Sequence, residues 1–583
     1  MKNPYRVLVF FFCSLVFFSC TTAPKTKVFQ AKPDYNKIDI QKLDSAIKLV
    51  VTSFTDTTYQ NIKWLKQIYA ERDYKSVWIN YPYNKTNADT LLSYLGKVEA
   101  HGLKSSQFAV DTLTYLSSLV TSGKLSYNQL AYLDMGLSKA FLTYCTGLKF
   151  GFVRPDKTCS NHYFPTMEAD SAFVEHCFEN IPSGLSELLM KLQPTSKTYL
   201  ALQAEKLIFN RLVDSACTPI PLLGEKERIK FGKSHSSLPL IARRLMITGE
   251  LPYDSAYQTV YQTFDKTLLT ALDLFRDKTG LLKDKEIGNN TINALNMTFP
   301  EYVDKINANL ERLRWQPLDT LGRKNIRVNV ADMTLEAYRG DTVALTMNIC
   351  VGKPPKTITP FLQSKIYEIV MNPTWTIPNS IIVKEISKIV VKDTSYLARH
   401  FIKVFKKKVE VLPSSVDWLK LTKKYQPYTL IQDSGDLNSL GRIKFNFGNH
   451  FSVYLHDTNS KSAFRRHNRA ISHGCIRVEK PLELTYFCLP EPDSITLSEM
   501  NKISLLKDKI RYSIGRKVLS KIGKDSLRSN PEQMKLQKVR ITPNIPILIY
   551  YRTCFLNPNG TVQFKPDMYD LDKELISLLN KVH

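Results

Sequence analysis

Apolar residues in the first half of the chain recur at helical spacing. Ile62, Leu65, Ile68 and Tyr69 form one stripe, Leu91, Leu92, Leu95 and Val98 a second, and Leu133, Leu137, Phe141 and Tyr144 a third. Turn residues punctuate this stretch at Tyr81-Pro82, His101-Gly102, Arg154-Pro155 and Gln193-Pro194. The pattern predicts a mainly α-helical domain over residues 41–250. A smaller helical unit follows at 251–310. There Leu268, Leu272 and Phe275 fall at i, i+4 and i+7. Gly280 is placed to stop that helix, and Asn289-Asn290-Thr291 offers a cap for the next. From Arg327 the period drops to two, as in Arg327–Val330, Thr346–Val351 and Ser452–His456. This predicts a β-rich domain over 320–575. Inside it, residues 378–430 return to helical spacing and read as a helical insertion, either a lid or a packed excursion. Ile541 to Phe564 reads as a final hairpin turning at Asn559-Gly560. The expected fold class is α+β, in several domains.

Composition narrows the function. With 43% hydrophobic and 11% aromatic residues, the 583-residue chain is neither disordered, collagen-like nor coiled coil. Its net charge of +26 asks for an acidic partner: nucleic acid, anionic lipid or a polyanionic wall polymer. Residues 501–540 carry 12 basic and 3 acidic side chains and read as a solvated basic helix pair. At the N-terminus, Lys2 and Arg6 precede the apolar run Val7–Phe18. That run falls short of the ~20 residues a membrane-spanning helix needs, and suits a signal peptide over 1–19. Phe17-Phe18-Ser19-Cys20 resembles the lipobox of bacterial lipoproteins. The resemblance implies cleavage before Cys20 and lipidation of that cysteine, with residues 20–40 as a linker. Thr21 stands where an Asp would resemble an inner-membrane retention signal, which favours the outer membrane. A periplasmic, lipid-anchored protein is expected. Export removes nucleic acid as a partner and favours peptidoglycan, whose stem peptides carry carboxylates.

The chemistry concentrates between Tyr454 and Arg477. Gly474 lets the backbone turn tightly before Cys475. A cysteine nucleophile needs a base or positive surroundings. His456, His467 and His473 are near in sequence, with Arg465, Arg466, Arg469 and Arg477. Successive N–H groups of a His-Gly-Cys turn can form an oxyanion hole. A strand from Val453 to His456 would put Tyr454 and His456 on one face. His-Gly-Cys lacks a usual zinc spacing and no second ligand pair stands elsewhere, so no metal or other cofactor is expected.

These residues carry a family resemblance. Ser472-His473-Gly474-Cys475-Ile476-Arg477, with His456 upstream, resembles the signature of the YkuD-type L,D-transpeptidases. Asn372–Pro378, Asn438–Gly441, Lys444-Phe445, Tyr454–Thr458, Leu313-Arg314-Trp315 and Asp567-Met568-Tyr569 resemble the large YcbB-type subgroup. Leu269–Asn296 resembles a three-helix peptidoglycan-binding module. The resemblance implies a helical scaffold, such a module, and a catalytic domain with an inserted cap. It implies Cys475 as nucleophile, His456 as base and Tyr454 lining the site. Gly474 and Cys475 would give oxyanion donors, and Ser472 and His473 would shape the turn. Arg477 would orient that turn or a substrate carboxylate, and Trp375 and Asn438 would meet substrate. The implied partners are peptidoglycan stem peptides, a tetrapeptide donor and a diamino-acid acceptor joined by a 3→3 cross-link. The alternatives are an L,D-carboxypeptidase, a catalytically inactive wall-binding scaffold and a metal-dependent hydrolase.

Overall fold

The computed structural model describes residues 38–53, 60–79, 85–157, 162–163, 168–215, 217–315, 321–490 and 537–582. The expected signal peptide, Cys20, nearly all of the linker and most of the basic 501–540 segment lie outside them.

Helices α1 (Ile40–Ser53), α2 (Gln60–Glu71), α3 (Thr86–Leu95) and α4 (Val110–Leu119) pack on α5 (Tyr127–Phe150). α5 opens on a capping box between Ser126 and Gln129, and its stripe Leu130, Leu133, Leu137, Phe141 and Tyr144 is buried. Beside that stripe the buried Asp134 accepts the Val77 and Trp78 N–H groups (3.1 and 2.8 Å) and the Tyr69 hydroxyl (2.5 Å). One carboxylate thus ties a loop to the central helix. α6 (Ser171–Glu179), α7 (Leu185–Lys191) and α8 (Lys197–Leu212) complete the scaffold.

The small unit begins before residue 251. Its core gathers Ile220, Leu238, Ile241, Leu245, Phe264, Leu272, Phe275, Ile287 and Ile292. It holds α9 (Leu238–Ile247), α10 (Lys266–Thr279) and α11 (Asn289–Leu295), with a short ladder between Ile229–Lys230 and Glu286–Ile287. Buried Arg244 joins the upstream part, donating to the Leu295 and Met297 carbonyls at 2.8 and 2.9 Å. The expected Asn289 cap is absent. Its side chain instead accepts the Leu223 N–H and donates to the Leu223 carbonyl, at 2.8 and 2.9 Å.

α12 (Phe299–Arg314) joins the units and is not part of the small one. A Thr298–Glu301 capping box starts it. Near its end Glu311 and Arg314 pair at 2.5 Å with both side chains fully buried. Arg314 also donates to the Tyr199 hydroxyl (2.6 Å) and the His101 carbonyl (3.0 Å).

The C-terminal strands are β1 (Lys324–Asn329), β2 (Thr334–Arg339), β3 (Thr342–Gly352), β4 (Phe361–Met371), β5 (Trp375–Thr376), β6 (Ile402–Lys406), β7 (Val409–Val411), β8 (Tyr428–Gln432), β9 (Ile443–Phe447), β10 (Leu455–His456), β11 (Ala470–Ser472), β12 (Ile476–Val478) and β13 (Gln537–Tyr550). The order β4-β9-β10-β12-β3-β2-β1-β13 closes on itself, because β13 pairs with β1 on one side and β4 on the other. The core fills the inside of this ring with Ile326, Val328, Ile349, Ile369, Ile443, Phe445, Leu455, Ile476, Ile547 and Ile549.

Two expectations fail here. The final hairpin is shorter, with Cys554–Leu556 pairing Val562–Phe564, because the apolar run before it is spent on closing the ring. The cap is not all helical. Helical pieces run from Asn379 to Lys392 and over Tyr396–Arg399, then the backbone turns left-handed at Phe401 (φ 54°). Beyond it the alternation of buried Ile402 and Val404 with exposed lysines forms β6. β5, β8, β6 and β7 make an antiparallel sheet with its own core of Ile381, Ile382, Val404 and Leu430.

Candidate functional site

Closing the ring sends alternate side chains outward. Phe445, Leu455 and Ile476 point into the core, so their neighbours Lys444, Tyr454, His456, Cys475 and Arg477 lie on the outer face. The ladders bring these together: Lys444 is opposite His456, and His456 is opposite Arg477. The Ile476 N–H donates to the Tyr454 carbonyl (3.1 Å), which sets Cys475 beside Tyr454. Tyr454 and His456 lie edge to face, ring centres 5.6 Å apart. Strand pairing starts only at Leu455, one residue beyond Tyr454.

The turn Ser472–Cys475 is clamped from outside. Gly474 has φ 112°, where a side chain would be strained. The Ser472 hydroxyl donates to the Cys475 carbonyl (2.6 Å) and accepts the Gly474 N–H (3.1 Å). Of the two expected oxyanion donors, Gly474 is therefore already spent. The Cys475 N–H has no hydrogen-bond partner among the described residues. Thr357 donates to the Ser472 carbonyl (3.1 Å) and Thr359 to the Gly474 carbonyl (2.9 Å). The loop carrying both packs so closely on Gly352 that a Cβ there would meet the Thr357 carbonyl oxygen at 1.8 Å. The Tyr569 hydroxyl fastens the same place, donating to the Gly352 carbonyl at 2.7 Å.

Burial and charge set the protonation states. His456 is 5% exposed, and its Nδ1–H donates to the Asp457 carbonyl at 2.5 Å, leaving Nε2 as the basic nitrogen. Burial first, then the Arg477 charge, push His456 down to about 3. Burial raises the Cys475 thiol, opposed by hydrogen bonds from Tyr454 and the charges of Lys444 and Arg477. At neutral pH the pair is a thiol and a neutral imidazole able to take its proton.

A base held neutral beside a cysteine on a glycine turn suits acyl transfer. Residues 323–497 match the YkuD family model, described as an L,D-transpeptidase catalytic domain. The C-terminal domain belongs to the YkuD family. Residues 63–205 match a model described as a scaffold domain. A Haemophilus influenzae protein named as an L,D-transpeptidase is 30% identical over 291 residues, 49% of this chain and 52% of that protein. The chain thus spans about half the length of this curated relative. The crystal structure of the L,D-transpeptidase (residues 123–326) from Xylanimonas cellulosilytica is similar at 12% identity and a TM-score of 0.14, covering 57% of this chain and all of that one.

Around the YkuD turn, the other expected residues divide. Trp375 is half-buried and hydrogen-bonds the Tyr454 hydroxyl, so it belongs both to the cap core and to the site. Arg477 is on the site face with its Nε buried and unpartnered among the described residues. His473 is exposed; rather than bracing the turn it pairs with Glu385 of the cap (Nε2 to Oε1, 2.6 Å). Asn438 does not face a substrate. It is buried and its amide donates to the Pro373 and Asp433 carbonyls (3.1 and 2.9 Å), holding the entry to the cap. Lys444, Thr357, Thr359 and Glu385 were not expected at the site. Lys444 had a signal: a lysine between Ile443 and Phe445 in an alternating strand must leave the core face.

Neutral buried histidines make the protein acid-labile. His101 in the scaffold is also pushed down to about 3, by burial and then by Arg314. Both histidines take up protons more readily when unfolded. The stability they contribute is whole above about pH 6.5, the ordinary histidine value, and is lost as pH falls toward about 3. The unfolding free energy from urea titration is expected to drop from pH 7 to pH 5, with its midpoint, by up to about 1.4 kcal/mol per pH unit for each histidine. A midpoint flat over that interval would contradict the assignment.

Proposed function

We propose that this protein is a peptidoglycan L,D-transpeptidase that forms 3→3 cross-links through a Cys475 thioester, in a periplasmic, lipid-anchored form. The observation that carries the reading is Cys475 on a clamped glycine turn beside a histidine whose Nε2 is held unprotonated. The YkuD match supports it. Sγ attacks the carbonyl after the third residue of a tetrapeptide stem, and its proton passes to His456 Nε2. The Cys475 N–H stands ready for the developing oxyanion. The C–N bond breaks, the expelled D-Ala nitrogen takes the proton, and the thioester remains. The side-chain amine of a second stem's diamino acid then attacks, gives a proton to Nε2, and releases the thiolate, which recovers it. Arg477 supplies positive charge for a stem carboxylate. Lipidation at Cys20 would tether the chain to the outer membrane, close to its polymeric substrate.

Incubating the chain with disaccharide-tetrapeptide and weighing the products tests this. A cross-linked dimer lacking one D-Ala is expected. Tripeptide alone would make the enzyme a carboxypeptidase, and unchanged substrate would end the proposal.

A further inference from the structure

A thiolate forming at Cys475 needs a positive charge near it. In many cysteine–histidine pairs that charge is the imidazolium itself. His456 is built against carrying one at rest. It is nearly fully buried, its Nδ1–H is committed to the Asp457 carbonyl, and two cations stand across the ladders on either side, Lys444 and Arg477.

Lys444 occupies the place the imidazolium leaves open. Its ammonium lies 4.0 Å from the centre of the Tyr454 ring, a cation–π contact. The Ile476 N–H to Tyr454 carbonyl bond (3.1 Å) in turn sets Tyr454 beside Cys475, where its N–H and hydroxyl oppose the effect of burial on the thiol. Lys444 sits mid-strand, fixed by β4 on one side and β10 on the other. We propose that Lys444, held over the Tyr454 ring, is the counter-charge of the Cys475 thiolate, while His456 serves only as a transient proton carrier. This deepens the acyl-transfer reading and rests on Cys475 as the nucleophile.

The bookkeeping closes without a proton on Lys444 moving. As the S–C bond forms, the S–H proton goes to His456 Nε2, and then to the leaving amine as the C–N bond breaks. The imidazolium exists only between those two events. Lys444 stays an ammonium throughout and acts through the field at Sγ, as a positioning residue. The charged and titratable groups facing the site are Tyr454 just before β10, His456 from β10, Lys444 from β9 and Arg477 from β12, with Lys461 adding positive charge at His456. Glu368 of β4 and Lys538 of β13 act on Lys444 with opposite signs. His473 and Glu385 pair at the cap boundary.

Alkylation of the full chain by iodoacetamide reads this without any peptidoglycan substrate. The Cys475 adduct is followed by peptide mass, so that exposed Cys217 is counted separately. Lys444→Met is expected to slow Cys475 alkylation at pH 8 about tenfold, by moving the thiol titration up by about one pH unit. Lys444→Arg is expected to restore most of it. A rate and titration in Lys444→Met equal to wild type would overturn the proposal. Nitrogen NMR of selectively labelled histidine in the wild-type chain is the second measurement, free of any folding effect of the substitution. A neutral His456 protonated at Nδ1 from pH 5 to 8 is expected; an imidazolium at pH 7 would overturn the proposal. Because alkylation uses no stem peptide, failure of transpeptidation and failure of this assignment remain separate results.

Discussion

Cys475→Ala is expected to remove acyl transfer by about 10⁴-fold or more and to leave the fold unchanged. The two halves of that expectation have different origins. The loss is large because in the proposed mechanism Cys475 and His456 act as one unit, so neither compensates for the other. The fold survives because nothing that holds the turn uses Sγ. Ser472, Thr357 and Thr359 fasten backbone carbonyls, and the β10–β12 ladder fixes the chain on either side. The sulfur itself makes only a long contact to the Ser452 carbonyl, at 3.8 Å, and those to Tyr454. Product mass from the tetrapeptide substrate measures the first half, and urea midpoints the second. Activity within tenfold of wild type would exclude a thioester.

Glu311→Ala is expected to cause the largest loss of stability, about 3–5 kcal/mol, the cost of leaving one member of a buried ion pair alone. Arg314 has no exposed side-chain surface on which to recover its hydration. Two further donors would lose the same acceptor, the Val153 N–H at 2.7 Å and the Trp315 indole N–H at 3.1 Å. These three come from the scaffold loop and the end of α12, so the damage should centre on the junction between them. Urea unfolding measures its size, and limited proteolysis near residues 151–153 its place. The double substitution Glu311→Leu with Arg314→Met is expected to recover part of the loss, since it buries no lone charge. A loss below about 1 kcal/mol would show that the pair is solvated in solution.

The sequence made the elements with clean periods legible. Leu133, Leu137, Phe141 and Tyr144 mark the buried stripe of α5, and the drop to period two at Arg327 marks the start of the β domain. It failed where one local pattern serves two partners. Ile541 to Phe564 looks like one hairpin, but Ile545 to Ile549 pairs with β4 and β1 far upstream. The cap looked helical throughout because its lysines and apolar residues fit either period for a few residues. Only the left-handed turn at Phe401 decides where the helix stops. At the site, Tyr454, His456, Gly474 and Cys475 could be picked out because they cluster in sequence. Thr357, Thr359 and Tyr569 could not, because the tertiary fold brings each threonine to the turn across 115 residues and Tyr569 to Gly352 across 217. Asn438 misled, because a polar residue in a familiar motif was expected to face substrate and instead satisfies buried carbonyls.

β13 closes the ring, yet it comes after every other strand of that ring. Without residues 537–550, β4 and β1 each expose an unpaired edge, and the core between them is open to water. Such edges recruit other strands. A polypeptide truncated ahead of residue 537 would be a template for self-association rather than a shortened enzyme.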